Sequence, residues 1–223
     1  MNKEVISIYA HNLEKRYGSN TIFKGLTVKL GEGDVLAVTG FSGVGKTTLL
    51  KILGLLAKPS NGKLYINSID TARLNNKQLN MLRREYIGFS FQNPIFIPSL
   101  KVIDNLLLPL LGWRKTQDII KYKENALELL DYLGLKEFKD YSPYRLSYGQ
   151  MKRVDLVRAI LKNPRILILD EPTANLDEES ATRVTQLIRR YCGRRRIVIF
   201  SVNRDEKLLK IANKQINILN YKD

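Results

Sequence analysis

Residues 35 to 56 constrain this chain more than any other stretch. Val35-Leu36-Ala37-Val38-Thr39 is an unbroken, mainly apolar run, the pattern of a strand covered on both faces in a parallel sheet. Gly40-Phe41-Ser42-Gly43-Val44-Gly45-Lys46-Thr47-Thr48 follows and fits G-x-x-x-x-G-K-[ST]. From Thr47 to Leu56 the apolar residues Leu49, Ile52, Leu53 and Leu56 recur at helical spacing. Glycines let the backbone curl so that successive N–H groups converge on one concavity. The helix that follows turns its positive dipole end and free amides to the same spot. Such a loop cradles a polyphosphate: Lys46 reaches the β- and γ-phosphates and the Thr47 hydroxyl ligates Mg²⁺. A plain glycine-rich turn with a solvated lysine would not require the buried strand before it and the helix after it.

A phosphate loop of this kind needs a metal-holding acid at the end of a second buried strand. Ile166-Leu167-Ile168-Leu169-Asp170-Glu171 supplies one. Four apolar residues bury the strand, and Asp170 emerges at its carboxyl end, where open α/β sheets bind ligands. Asp170 is then the carboxylate on the Mg²⁺ side. Glu171, one residue on, is the natural general base for an attacking water.

Composition narrows the alternatives. With 223 residues, 44% hydrophobic and 26% charged, the chain can bury a core of ordinary size. One cysteine, Cys192, and one histidine, His11, exclude an intramolecular disulfide and leave no Cys/His cluster for zinc. The most apolar stretch, Leu106 to Trp113, is broken by Pro109 and falls well short of the ~20 residues of a spanning helix. The start, MNKEVISIYAHNLEK, has no apolar core of signal-peptide length. A cytoplasmic, soluble chain is expected. The formal net charge of +15 exceeds what one nucleotide site needs and points to an anionic neighbour as well.

Along the chain, strands are expected at Val5 to Leu13, Gly25 to Leu30, Tyr65 to Ile69, Tyr86 to Phe91, Arg165 to Asp170 and Ile197 to Ser201. A turn cluster occupies Lys58 to Gly62. Helical patterns cover Lys101 to Lys139, Ser147 to Lys162 and Glu178 to Tyr191, with Ala126, Leu127, Leu130 and Leu133 on one face and Gly134 as a stop. Alternating strands and helices argue for an α/β domain with a parallel sheet, and residues 95–145 read as an inserted helical part.

Leu146-Ser147-Tyr148-Gly149-Gln150 precedes a helix with Met151, Val154, Val157 and Leu161 on one face. Ser147 and Gln150 have the spacing of a capping box. A helix start with free amides and a hydroxyl is equally a second anion site. Taken with the two phosphate motifs, the sequence resembles the ABC-type ATPases, whose signature is LSGGQ, over nearly its whole length. The resemblance implies one domain over 1–223, built as an α/β P-loop NTPase core with a mostly parallel sheet, an N-terminal antiparallel β part and the helical insert. It implies ATP and Mg²⁺ as ligands, and a second copy of the chain that completes the site. Ser147 and Gly149, with Gln150, would then meet the γ-phosphate held by the partner copy. Gln92 matches the glutamine on the Mg²⁺ and the transporter subunit. Tyr17 matches the aromatic that stacks on adenine, against the alternative of a core tyrosine. Ala174-Asn175-Leu176-Asp177 matches the loop across the dimer interface, although Asp177 is equally placed to cap the next helix.

Three positions depart from the family pattern. Tyr148 replaces the first signature glycine, and Asp155 stands where a small residue is usual, with Arg158 at i+3 to pair with it. The switch histidine expected after Ile197 to Ser201 is absent; Ser201-Val202-Asn203-Arg204-Asp205 stands there. Asn203 can hydrogen-bond the γ-phosphate but cannot change charge near neutral pH, so slow hydrolysis is expected.

Ile87 to Gln92 followed by Ile97 to Pro109 looks like the lipoprotein-release, macrolide-export and cell-division branch. That branch implies an integral membrane transporter subunit, with this chain peripheral on the inner face of the membrane. Ile95, Phe96, Ile97 and Leu100 would either receive a coupling helix or pack the insert. The alternative function is an ABC-type ATPase acting on nucleic acid or as a non-transport regulator. The basic run Arg189 to Arg196 would suit a phosphate backbone, an anionic leaflet or simply a solvated turn. Only about fifty residues separate Gln92 from Leu146, without sustained heptads, which argues against the coiled-coil repair heads.

Overall fold

The computed structural model describes residues 5–111, 116–193, 195–203 and 205–222; Trp113, Arg194 and Arg204 lie outside them. Two sheets share the work. The first is antiparallel, in the order β2-β1-β4-β5, and joins β1 (Ile8–Tyr17), β2 (Asn20–Leu30), β4 (Asn61–Ile66) and β5 (Ile69–Asp70). The second is parallel, in the order β6-β7-β8-β3-β9, from β3 (Val35–Thr39), β6 (Ile87–Ser90), β7 (Ile166–Leu169), β8 (Ile197–Ser201) and β9 (Lys214–Asn217). Its central strands are apolar throughout because both faces are covered. Leu36, Val38, Ile166, Ile168, Ile197 and Ile199 face the antiparallel sheet and helix α1 (Lys46–Leu53). Val35, Ala37, Leu167, Leu169, Val198 and Phe200 face the opposite core with α5 (Tyr148–Leu161) and α6 (Glu178–Tyr191). Each such side chain contributes about 2 kcal/mol on full burial, which makes the period-two division of these runs decisive for register.

Several boundaries differ from the sequence expectation. The first two strands are longer hairpin arms than Val5 to Leu13 and Gly25 to Leu30. The register of β1 slips between Ala10 and Leu13, where Asn12 takes φ 50°, and this irregularity blurs the alternation. The strand expected at Tyr65 to Ile69 is β4 and β5, separated by a turn in which Asn67 and Ser68 both have positive φ; Asn61 and Gly62 therefore belong to a strand and not to the turn cluster. Tyr86 ends α2 (Asn76–Tyr86) and does not begin β6. The helical stretch from Lys101 is divided into α3 (Val102–Leu107), a short 3-10 turn containing Pro109, α4 (Thr116–Tyr132) and two more 3-10 turns before α5. Helix α2, the short α7 (Glu206–Leu209) and β9 are additional to the elements expected from the sequence. In α2 only Leu79 is buried, and β9 reads Lys-Gln-Ile-Asn with one buried residue.

Strands β6, β7, β8 and β3 are consecutive in the parallel sheet, so their carboxyl ends lie side by side. Gln92, Asp170, Asn203 and the loop 40–48 all leave the sheet at that edge, although they are far apart in the chain. Among the described residues no helix is long and apolar enough to cross a membrane.

Candidate nucleotide site

The loop after β3 is shaped by two glycines that nothing else could replace. Gly40 has φ 138°, and a Cβ there would lie 2.7 Å from Val44 Cγ1. Gly45 has φ 116°, and a Cβ there would lie 2.4 Å from Ile22 Cγ2 on the β2 arm. The hairpin thus closes against the start of α1. Gly45 caps α1 without any side-chain hydrogen bond, and no acid stands in the first turn. Among the described residues no acceptor is present for the amides of Gly43, Gly45, Lys46, Thr47 and Thr48. A cluster of unpaired donors at a helix start is a fit for phosphate oxygens.

Lys46 is almost fully buried, and its Nζ donates to Gly40 O at 2.9 Å, Phe41 O at 3.1 Å and Asn203 Oδ1 at 2.6 Å. Glu171 Oε1 lies 3.4 Å from the same ammonium. Asn203 Nδ2 donates to Glu171 Oε1 at 3.3 Å, and Gln92 Nε2 donates to Glu171 Oε2 at 3.2 Å. Thr47 Oγ1 donates to Asp170 Oδ2 at 2.7 Å. Six residues predicted from the sequence, Lys46, Thr47, Gln92, Asp170, Glu171 and Asn203, therefore come within one network at the sheet edge. Thr47 and Asp170, with Gln92 alongside, form a hard-oxygen donor set suited to Mg²⁺.

Two further residues shape the site without having been read from the sequence. Ser201, at the end of β8, donates from Oγ to Asp170 Oδ1 at 2.6 Å, and its Oγ also accepts the Glu171 amide at 2.8 Å. Its signal was available: a polar residue closing an apolar strand, the reasoning that picked out Asp170. Lys152, buried on α5, donates to the carbonyls of Glu171 and Ala174. Burial holds its ammonium below the ordinary lysine range, against the charges of Glu171, Asp170 and Asp155. Glu171 itself has φ 50°, a conformation that costs on the order of 1 kcal/mol for a non-glycine residue. The Ser201 hydroxyl on its amide and the Lys152 ammonium on its carbonyl hold that backbone in place.

The signature segment lies elsewhere on the surface. Ser147 caps α5 and accepts the Gln150 amide at 3.2 Å, while Gln150 Oε1 accepts the Ser147 amide at 2.8 Å. The reciprocal capping box is formed, so the capping reading holds, and it is compatible with the second reading of this helix start as an anion site. Gly149 packs against the 174–177 loop, where a Cβ would lie 3.2 Å from Leu176 Cδ2. Asp177 caps α6 through the Ser180 amide at 2.8 Å, and that hydrogen bond lowers its pKa. Tyr17 is 56% exposed, with Lys15 Nζ 4.9 Å from its ring centroid, which excludes the core-tyrosine reading. Among the described residues, no hydrogen bond or ion pair joins Ser147, Gly149, Gln150, Asp177 or Tyr17 to the Lys46–Glu171 network. In the insert, Phe96 is buried in the core while Ile95 and Ile97 are exposed. In the basic run, Arg190 lies over Tyr132 and Arg196 over Tyr191, so these two side chains serve packing as well as charge.

A glycine-built helix start, a lysine within it and a threonine of the same helix hydrogen-bonded to an aspartate at the carboxyl end of a parallel strand define a nucleotide-hydrolysing P-loop protein. Comparison with known proteins gives the family. The ABC transporter family profile matches residues 23–174. The chain is 32% identical to the lipoprotein-releasing system ATP-binding protein LolD of Bacteroides fragilis, over 95% of this chain and 97% of that one. It is 35% identical to the phosphonates import ATP-binding protein PhnC 2 of a Synechococcus species, over 92% of this chain and 78% of that one. Among solved structures it is similar to the dimeric ABC transporter cassette MJ0796, with TM-score 0.85 and 32% identity over 95% of this chain and 94% of that one. A second structure of that cassette, in a post-hydrolysis state bound to ADP and Pi, matches with TM-score 0.85 and 30% identity over the same shares. This chain belongs to the ABC transporter family and is an ABC-type ATPase.

Proposed function

We propose that two copies of this chain close around two Mg·ATP and that their hydrolysis drives an integral membrane transporter subunit. The observation that carries this reading is the convergence of Lys46, Thr47, Gln92, Asp170 and Glu171 beside a helix start whose amides find no acceptor among the described residues. The amides and Lys46 hold the triphosphate, the phosphates taking over the ammonium's present acceptors. Thr47, Asp170 and Gln92 hold Mg²⁺, which when bound offsets negative charge on the phosphate oxygens. Glu171 orients and deprotonates a water, its carboxylate positioned from either side by Gln92 and Asn203. Ser147, Gly149 and Gln150 of the second copy supply a hydroxyl and a helix start to the γ-phosphate, Asp177 lies at the dimer interface, and Tyr17 stacks on adenine.

Exposed Ile95 and Ile97, just after Gln92, are the surface offered to the membrane subunit, which would place the chain on the inner face of the membrane. Relatives named for lipoprotein release and for phosphonate import share this architecture at similar identity, so cargo and direction are assigned to that subunit. Nucleic acid is not proposed as a partner.

Glu171→Gln keeps the side chain's size and removes the base. With ATP and Mg²⁺ it is expected to accumulate as a dimer, read as doubled mass by light scattering on a sizing column. A variant that binds ATP yet stays monomeric at all concentrations overturns the paired mechanism for this chain.

A further inference from the structure

Helix α5 is tied to the segment around Gln92 at both of the positions where this chain departs from the family signature. At its first turn the Tyr148 hydroxyl lies 2.6 Å from Gln92 O and 3.0 Å from Asn93 Oδ1, with its single proton shared between these acceptors. Two turns later Asp155, with no exposed surface, accepts from the Phe91 amide at 2.7 Å and from Ser90 Oγ at 3.0 Å. Arg158 joins the same carboxylate at 2.5 Å, donates to Ile95 O at 2.8 Å and lies over the Phe96 ring at 4.6 Å. One helix therefore grips residues 90, 91, 92, 95 and 96, leaving the Gln92 side chain free to reach Glu171.

We propose that Tyr148 and Asp155 are positioning residues that fix Gln92 to α5, so that the helix presented to one nucleotide also sets the metal-side glutamine of the chain's own site. The proposal rests on the functional reading above. Its physical basis is specific to these side chains. A buried carboxylate is costly to desolvate unless donors surround it, and here, among the described residues, every donor it meets apart from Arg158 belongs to the Gln92 segment. A glycine at 148 would offer no hydroxyl to Gln92 O, and a small apolar residue at 155 would leave the Ser90 hydroxyl and Phe91 amide without this acceptor.

The test uses the full chain with Tyr148→Phe, which deletes only the hydroxyl, and Asp155→Asn, with thermal unfolding as the check on folding. Hydrogen exchange by mass spectrometry is read for the peptide over 88–97 and, as a control, the peptide over 40–48. Tyr148→Phe is expected to speed exchange in 88–97 about fivefold and to leave 40–48 unchanged. In turnover assays it is expected to raise the Mg²⁺ concentration for half-maximal rate about fivefold and to lower kcat while KM for ATP stays within about twofold. Affinity for ATP without Mg²⁺ should match the wild type. Unchanged exchange in 88–97 overturns the proposal, and so does faster exchange with wild-type Mg²⁺ dependence and kcat, which would make the tie purely structural. Should Asp155→Asn fail to fold, Tyr148→Phe decides alone. A wild type that binds no nucleotide overturns the functional reading and, with it, any positioning role, whereas the exchange result separately shows whether α5 holds the segment.

Discussion

Helices α1 and α5 both begin at the protein surface with amides pointing outward, and they treat those amides in opposite ways. Helix α1 starts on Gly45, with no capping side chain and no first-turn acid. Helix α5 starts on Ser147, and its capping box closes two of the donors within the chain itself. A helix start with unmet donors is destabilised until an anion arrives; a capped one is stable alone and gives up little when an anion is absent. On the proposed reading the first takes phosphate directly, and the second stands ready on a preformed helix for a phosphate held by another chain. The difference teaches that resemblance between two glycine-containing helix starts does not make them equivalent sites.

The sharpest way to break this comparison is at Lys46. Lys46→Ala removes the one cation in the loop and is expected to weaken ATP binding to the isolated chain about a hundredfold, measured by calorimetry. An unchanged affinity would mean that the amides of α1 suffice. At the second helix the expected outcome is different in kind. Ser147→Ala should leave ATP affinity of the single chain unchanged, lower turnover strongly, and reduce unfolding stability by about 1 kcal/mol through the lost cap, read by urea denaturation. Loss of stability with full turnover would make Ser147 a cap and nothing more. Asn203 bridges Lys46 and Glu171 without titrating, so no inflection in the rate near pH ~6.5 is expected from it. Asn203→His is expected to raise turnover by roughly tenfold and to introduce that inflection; a pH–rate profile of both proteins checks it, and a brisk wild type indifferent to the change refutes the expectation of slow hydrolysis.

The parts of the site legible in the sequence are those in which local pattern and chemistry coincide. An apolar run ending in glycines, lysine and threonine, and a second ending in Asp170-Glu171, each carry their own context. Asp155 with Arg158 was legible as a helical pair, but nothing local signalled that both side chains reach across to residues 90–96. Lys152 was invisible for the same reason: a lysine on a helix reads as a solvated charge until the loop after β7 is seen to cover it. Strand β9 was missed because only Ile216 is buried there, too little to impose a period, whereas in α2 the helical recurrence of Leu79, Leu82 and Tyr86 is set among polar residues and was passed over.

The amino-acid order alone determined the phosphate loop, the acidic strand end, the α/β class and the family, because each of these is written in contiguous residues whose conformations are set by local sterics and by period. Only the tertiary structure decided that Gln92, Asp170, Ser201 and Asn203 meet Lys46, since that depends on the spatial order β6-β7-β8-β3 and not on the order along the chain. It alone also decided that Tyr148 and Asp155 face the Gln92 segment. Side-chain hydrogen bonds between residues more than fifty positions apart are fixed by how the sheet stacks its strands, and no local pattern encodes that.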